Sequence, residues 1–351
     1  MYLRQILTAI GLFPKAQHSP ELPHLMGFAP IENQLVWPSM GHVIGILRSS
    51  RFVDRFKYQC RMLQASAARR NFLRYLSVNA VWHSLFALNQ RCYYVPFRLY
   101  LDRRWSQKMR FEQCATDLQV AQAKFGLAMA QQLVEGHRVR LSEHAFFSVD
   151  LELNRVSFHE GFWSLSLKDS KGQALFNMSF GFLSPHSVLV ASVQGLRGDT
   201  GCKLEAIQSI TKQNHGLRPH HLLLNIFQLA CADWGITEIR GIDPEHQVKK
   251  RRNADKQGFT FDYREFWAEL GAVQLDDQDW LLPSQPQRRA AEDIPARKRA
   301  LYRKRYAFLD DLTAVVATSL ASATADNCAT WRKPASAGAS TAMSASAAYT
   351  A

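Results

Sequence analysis

Between His144 and Gly195 the chain passes through four short segments of alternating character: "HAFFSVDLELNRVSF", "FWSLSLKD", "QALFNMSFGFL" and "HSVLVASVQG". An apolar residue at nearly every second position gives each segment one apolar and one polar face, which is the period of a strand. Turn residues in "DSKGQ" and "SPHS" separate the segments closely enough for hairpins, so the strands pair antiparallel. Two helical stretches follow, "CKLEAIQSITKQNHG" and "RPHHLLLNIFQLACADWG", and then a further strand, "ITEIRGID". Strand, helices, strand implies a right-handed crossover and one parallel pair. The expected fold class is therefore α+β, with a mostly antiparallel sheet and one parallel crossover.

Upstream the period changes. "RFVDRFKYQCRMLQ" and "SQKMRFEQCATDLQVAQAKFGLAMAQQLV" place apolar residues three and four apart, a helical pattern. Between them, Pro96 in "CYYVPFRLYLDRRW" argues against a helix through that connector. The resulting division is a loosely structured, proline-bearing entry over 1–42, a helical region over 43–135, and a mixed core over 136–316. The core takes in a basic helix from about Ile294, and an Ala/Ser-rich tail over 317–351 is expected to be disordered.

With 43 Lys and Arg against 30 Asp and Glu, the chain carries +13, which favours anionic partners: phosphorylated small molecules, acidic lipid or nucleic acid. No zinc-finger or RRM signature is present, so nucleic acid is the least favoured of the three. The six cysteines are scattered and form no C-x-x-C pair, which fits a reducing, cytoplasmic setting, with membrane contact only from the surface, as a peripheral protein of the inner membrane. Metal binding is not expected. There is no H-E-x-x-H, and the adjacent His220 and His221 on a helix are expected to point apart.

Two glycine-containing turns open helices and could hold phosphate on unpaired backbone N–H groups. The first is "VQGLRGDTG", with Gln194, Arg197, Gly198 and Gly201. The second is "NHGLRPHH", where Gly216 and Arg218 precede Pro219, a residue suited to a first helical turn. The competing reading of both is that glycine ends one element and the next begins. His215 and His246 are candidate bases placed to share one cleft, and Asp243 or Glu245 could orient His246. In "FDYREFWAELGA", Tyr263, Phe266, Trp267 and Leu270 share one side of a helix, as a core-facing stripe does. "HQVKKRR" and "PARKRALYRKRYAF" are the densest basic segments. They read as solvated faces, as phosphate-contacting faces, or as the rim of a phosphate site.

As an ordered set, "ITKQNHGLRP", "WGITEIRGI", "HQVKKRR", "FDYREFWAELGA" and "EDIPARKRALYRKRYAFLDDL", with the earlier "VPFRLYLDRRWSQKMRFE" and "VQGLRG", resemble the VirK/YbjX family of Gram-negative bacteria over roughly Val43 to Leu312. That resemblance implies an association with virulence and with envelope tolerance of cationic antimicrobial peptides. The layout over 144–283 also looks like the GNAT acyltransferase architecture, although the spacing in "VQGLRGDTG" is one residue longer than the acyltransferase pyrophosphate turn. This second resemblance implies acyl-CoA as donor, an amine or hydroxyl of an envelope-related acceptor, and Tyr263 as proton source for the departing thiolate. The alternative is a non-catalytic basic protein recruited to anionic lipid or nucleic acid.

Overall fold

The computed structural model describes residues 37–39, 52–195, 200–249, 261–325 and 331–332. The chain divides into two compact units, Met1–Thr116 and Asp117–Ala351.

The first unit is helical: α1 (Phe52–Gln64), α2 (Ser66–Val78), α3 (Ala80–Leu88), the single turn α4 (Val95–Arg98) and the start of α5 (Gln107–Glu135). Its core is aromatic. Trp37 meets Tyr93 and Phe97 edge-on, with ring centroids 5.0 and 5.1 Å apart, and Phe97 meets Phe111 at 5.1 Å. The Trp37 indole N–H donates to the Tyr58 hydroxyl at 3.2 Å, so the polar edge of a buried ring is satisfied. Pro96 does not exclude a helix as expected. It stands in the first turn of α4, where its missing N–H would have had no partner.

The second unit is built on a sheet of order β7-β8-β6-β5-β4-β3-β2-β1-β9. The meander has five strands and not four: β1 (Arg138–His144), β2 (Phe147–Leu153), β3 (Trp163–Asp169), β4 (Ala174–Ser184) and β5 (Ser187–Gly195). The additional strand, "RVRLSEH", hides its period behind charge. Helices α6 (Thr200–Gln213) and α7 (Pro219–Asp233) carry the chain to β6 (Glu238–Gly241), which pairs parallel with β5 as expected. Helix α8 (Tyr263–Glu269) and the short strands β7 (Val273–Gln274) and β8 (Trp280–Leu282) follow. The last elements are α9 (Arg299–Thr324), which runs past the expected boundary at 316, and β9 (Trp331–Arg332), paired with β1. The rest of the expected tail lies outside the described residues, as does most of the 1–42 entry. Among the described residues, no helix is long and apolar enough to cross a membrane.

One sheet face is apolar. Leu151, Leu165, Met178 and Val193 stand in register across β2 to β5, and Phe227 of α7 packs on Phe180 at 4.7 Å. Phe125 of α5 meets Trp163 edge-on at 5.0 Å, and α9 lies against β1 and α7. The opposite face is polar yet also buried. Arg140, Asp150, Ser166, Asn177 and Gln194 form one row across β1 to β5, and Glu152, Ser164, Ser179 and Ser192 form the next. Asp150 and Asn177 have no exposed surface, and Ser166 only 2%.

Candidate functional site

Buried polar groups need partners, and across most of this face they have them. Asp150 takes Arg140 on one oxygen and Lys168 on the other, the latter at 2.8 Å, while Lys168 also reaches Glu152 at 3.1 Å. Ser166 bridges Glu152 and Asn177, and Asn177 donates to the Ser179 hydroxyl at 3.2 Å. Satisfaction fails at the β5 end. The buried Nε2 of Gln194 has no hydrogen-bond partner among the described residues.

This end of the face coincides with an opening in the sheet. β5 and β6 pair from Ser187 and Glu238 to Val190 and Gly241, and Ile242 N–H still donates to Val190 C=O at 3.1 Å. Beyond that point β5 continues to Gly195, while the chain leaves β6 for the turn 243–249. Tyr263 enters the gap. Its hydroxyl accepts from Val193 N–H at 3.0 Å and donates to Val193 C=O at 2.9 Å, satisfying the strand groups that β6 no longer covers. Burial, then the nearby Glu160 charge, pushes the Tyr263 hydroxyl well above its ordinary range. Asp262 fixes the tyrosine at the start of α8 by accepting the N–H groups of Arg264 and Glu265, both at 3.0 Å. Phe266 and Trp267 are buried beside it, as the core-facing stripe requires.

Glu160 is the group the sequence does not announce. It ends a 3₁₀ turn, Phe158–Glu160, and is only 3% exposed. Gly161 follows at φ 106°, lying so close to the Phe180 carbonyl that a Cβ would sit 2.1 Å from that oxygen. Burial raises the Glu160 carboxyl above the usual glutamate range. Lys249 at 2.7 Å and the Ser192 hydroxyl pull it partly back.

The turn after β6 supplies the other side. Its Gln247 carboxamide lies beside the Tyr263 hydroxyl, and Lys249 reaches Glu160. His246 Nδ1 is 3.0 Å from Asp279 Oδ1, which also receives the Asp243 N–H at 3.1 Å. A carboxylate that orients His246 is thus Asp279, just before β8, while Asp243 offers the His246 N–H its backbone carbonyl. Asp243 is taken by both ends of the Arg264 guanidinium at 3.0 Å. Burial pushes the Asp243 carboxyl up, but the Arg264 and Glu245 N–H bonds outweigh that and hold it below its ordinary range.

The mouth of α7 borders α8, the helix that carries Tyr263: His220 packs on Phe261 and Phe266. His215 (φ 53°) and Gly216 (φ 77°) make the turn, and Arg305 of α9 donates to the His215 carbonyl at 2.8 and 3.2 Å. Arg218 is the N-cap and gives no side-chain cap. Backbone N–H groups and a guanidinium at this mouth suit a phosphate, but an internal carboxylate already stands there: Glu269 Oε2 lies 3.6 Å from Arg218 and 3.5 Å from His221. His220 and His221 do not point apart. Their ring centroids are 4.6 Å from each other, and both rings pack on Phe266. Burial, followed by neighbouring positive charge, lowers His220 to about 4 and His221 to about 3. His215 and His246 have different partners: one engages Arg305 through its carbonyl, the other Asp279 through its ring. In the other glycine turn, Arg197 and Gly198 lie outside the described residues, and Gly201 is in the first turn of α6.

Comparison with known proteins gives the family. The model described as "Protein of unknown function (DUF535)" matches residues 48–318. An uncharacterized protein of Haemophilus influenzae is 31% identical over 239 residues, covering 68% of this chain and 80% of its own length. YbjX of Escherichia coli is 24% identical over 288 residues, 78% of this chain and 87% of that protein. A protein of Mannheimia haemolytica named membrane protein LapB is 28% identical over 218 residues, 62% and 92% of the two chains. No solved structure matches. On these matches the chain belongs to the DUF535 family, the VirK/YbjX group that its motifs resemble.

Proposed function

We propose that this protein is an acyltransferase-like enzyme that moves an acyl group from acyl-CoA to an amine or hydroxyl of an envelope-related acceptor. The observation that carries the reading is the opening of the β5–β6 pair beyond Val190 and Gly241. Tyr263 is seated in that opening, and Glu160, Lys249 and His246 are held around it by the turn 243–249. Crevices at the carboxyl ends of parallel strands are where open α/β sheets take ligands. A glutamate kept above its usual range by burial is a group suited to proton transfer.

In this reading the acceptor nitrogen or oxygen attacks the thioester carbonyl, and the CoA sulfur leaves with the electron pair of the broken C–S bond. His246, oriented through Nδ1 by Asp279, takes the acceptor proton. The Gln194 carboxamide N–H is a donor for an oxygen on the reacting group. Tyr263 supports the strand edge, its hydroxyl being held by Val193, and reaches the leaving thiolate only by giving up those bonds. The CoA phosphates fall to one of the two glycine turns, Gln194, Arg197, Gly198 and Gly201, or Gly216 and Arg218.

Calorimetric titration of the full chain with CoA and acyl-CoAs, beside Arg218→Ala and Asp279→Asn, tests the proposal. Saturable one-to-one binding is expected, with acyl transfer to a supplied amine lost in Asp279→Asn while CoA affinity is kept. Absence of CoA and acyl-CoA binding by the parent chain overturns the reading.

A further inference from the structure

We propose that the N-terminal end of α9 is a docking face for an anionic lipid bilayer. Arg297, Lys298, Arg299, Arg303 and Lys304 are all exposed, and no acidic residue interrupts the chain between Ile294 and Asp310. At about 100° per residue, Arg303 and Lys304 lie on the side of the helix away from its buried stripe of Leu309, Leu312, Val316 and Leu320, with Arg299 on the flank.

Among the described residues, internal structure does not account for these charges. The arginines around them have partners: Arg305 bonds the His215 carbonyl and covers the Tyr302 ring at 4.5 Å, and Arg288 pairs with Asp310. None of the ion pairs among the described residues involves Arg297, Lys298, Arg299, Arg303 or Lys304; Arg299 donates only to the Ile294 carbonyl, at 3.1 Å. Cations at the start of a helix also oppose its dipole, whose positive end is there, so helix stability gives no reason to gather them at this place. An external anionic surface does.

An apolar residue bordering the cations selects lipid over nucleic acid. Leu301, 40% exposed, stands one helical turn from both Lys298 and Lys304. An exposed leucine between lysines suits the headgroup boundary, where cationic stems extend toward phosphates while an apolar group enters the acyl layer. A polyphosphate groove would gain nothing from the exposed leucine. The inference stands apart from the acyl-transfer reading, since none of these residues belongs to the β5–β6 opening.

Vesicle co-sedimentation of the full chain tests it, with phosphatidylcholine alone against phosphatidylcholine mixed with phosphatidylglycerol, at low and high salt. Binding to the mixed vesicles only is expected, weakened by salt. The triple variant R299E/R303E/K304E should lower partitioning by roughly tenfold or more. Leu301→Ser should lower it further in the presence of salt, where the charge contribution is screened. Leu301→Ser is a surface change, whereas the triple variant also removes the Arg299 bond to the Ile294 carbonyl, and an unchanged thermal midpoint confirms the fold of both. Retained vesicle binding by the triple variant overturns the proposal. So does a parent chain that ignores mixed vesicles while binding duplex DNA.

Discussion

The Tyr263 hydroxyl and the Val193 peptide form a closed two-bond contact, donor to carbonyl at 2.9 Å and acceptor from N–H at 3.0 Å, at the point where two parallel strands part. A single side chain thereby replaces a neighbouring strand for one residue. Replacing Tyr263 with Phe keeps the ring packing against Phe261 and Trp267 but leaves a buried N–H and a buried C=O unpaired. The expected loss is about 1–3 kcal/mol in urea-unfolding free energy. A loss within a few tenths of a kcal/mol would mean that water replaces the hydroxyl and the contact is not structural.

Glu160 and Lys249 make the second prediction. The folded carboxyl is raised above the ordinary glutamate range, so the folded state holds its proton more tightly than the unfolded chain does. Stability from this group is present at acid pH. It is lost as pH rises from the ordinary glutamate value through the raised one. Glu160→Gln removes that decline and flattens the stability–pH curve on the acid side. Lys249→Met goes the other way, leaving a buried carboxylate without its cation at 2.7 Å, at a cost of about 3–5 kcal/mol near neutral pH. Chemical denaturation at several pH values separates the two variants.

His220 and His221 titrate with the opposite sign. Both are lowered, to about 4 and about 3, so the unfolded chain takes up protons before the folded one can. Their contribution is complete above about pH 6.5, the ordinary histidine value, and is lost as pH falls from there toward those lower values. His220→Gln and His221→Gln should each shallow the fall in unfolding midpoint between neutral and mildly acid buffer. An unchanged acid slope in both variants would place the proton uptake elsewhere.

Much of the fold is legible in the residue pattern, and the limits have physical causes. The period-two runs from Phe147 to Gly195 place β2 to β5, and the crossover through "RPHHLLLNIFQLACADWG" gives the parallel partner β6. Alternation says which residues share a face, but not that the polar face is buried. Asp150, Ser166 and Asn177 read as solvent-facing until their partners across four strands are known. β1 escapes because Arg138, Arg140 and Glu143 mask Val139 and Leu141. At the site, His246 and Tyr263 are visible as chemistry-bearing types. Glu160 sits in an unmarked three-residue turn, and Asp279 follows His246 by 33 positions. No local spacing rule links partners that only sheet topology brings together.

The contact between Glu269 and the mouth of α7 separates the two phosphate sites. Glu269 Oε2 lies 3.6 Å from Arg218 and 3.5 Å from His221, beside the guanidinium that an incoming phosphate would meet. If the phosphates of CoA bind here, the carboxylate competes with them, because like charges a few ångströms apart repel and both draw on the Arg218 guanidinium. Glu269→Gln should then tighten CoA binding by several-fold at low salt, and Arg218→Ala should weaken it in the same assay. If the turn after β5 holds the phosphates, Glu269→Gln leaves CoA affinity unchanged. The Glu269 side chain is 40% exposed, so its removal should move stability by less than about 1 kcal/mol, and a change in affinity can be read without correction for folding.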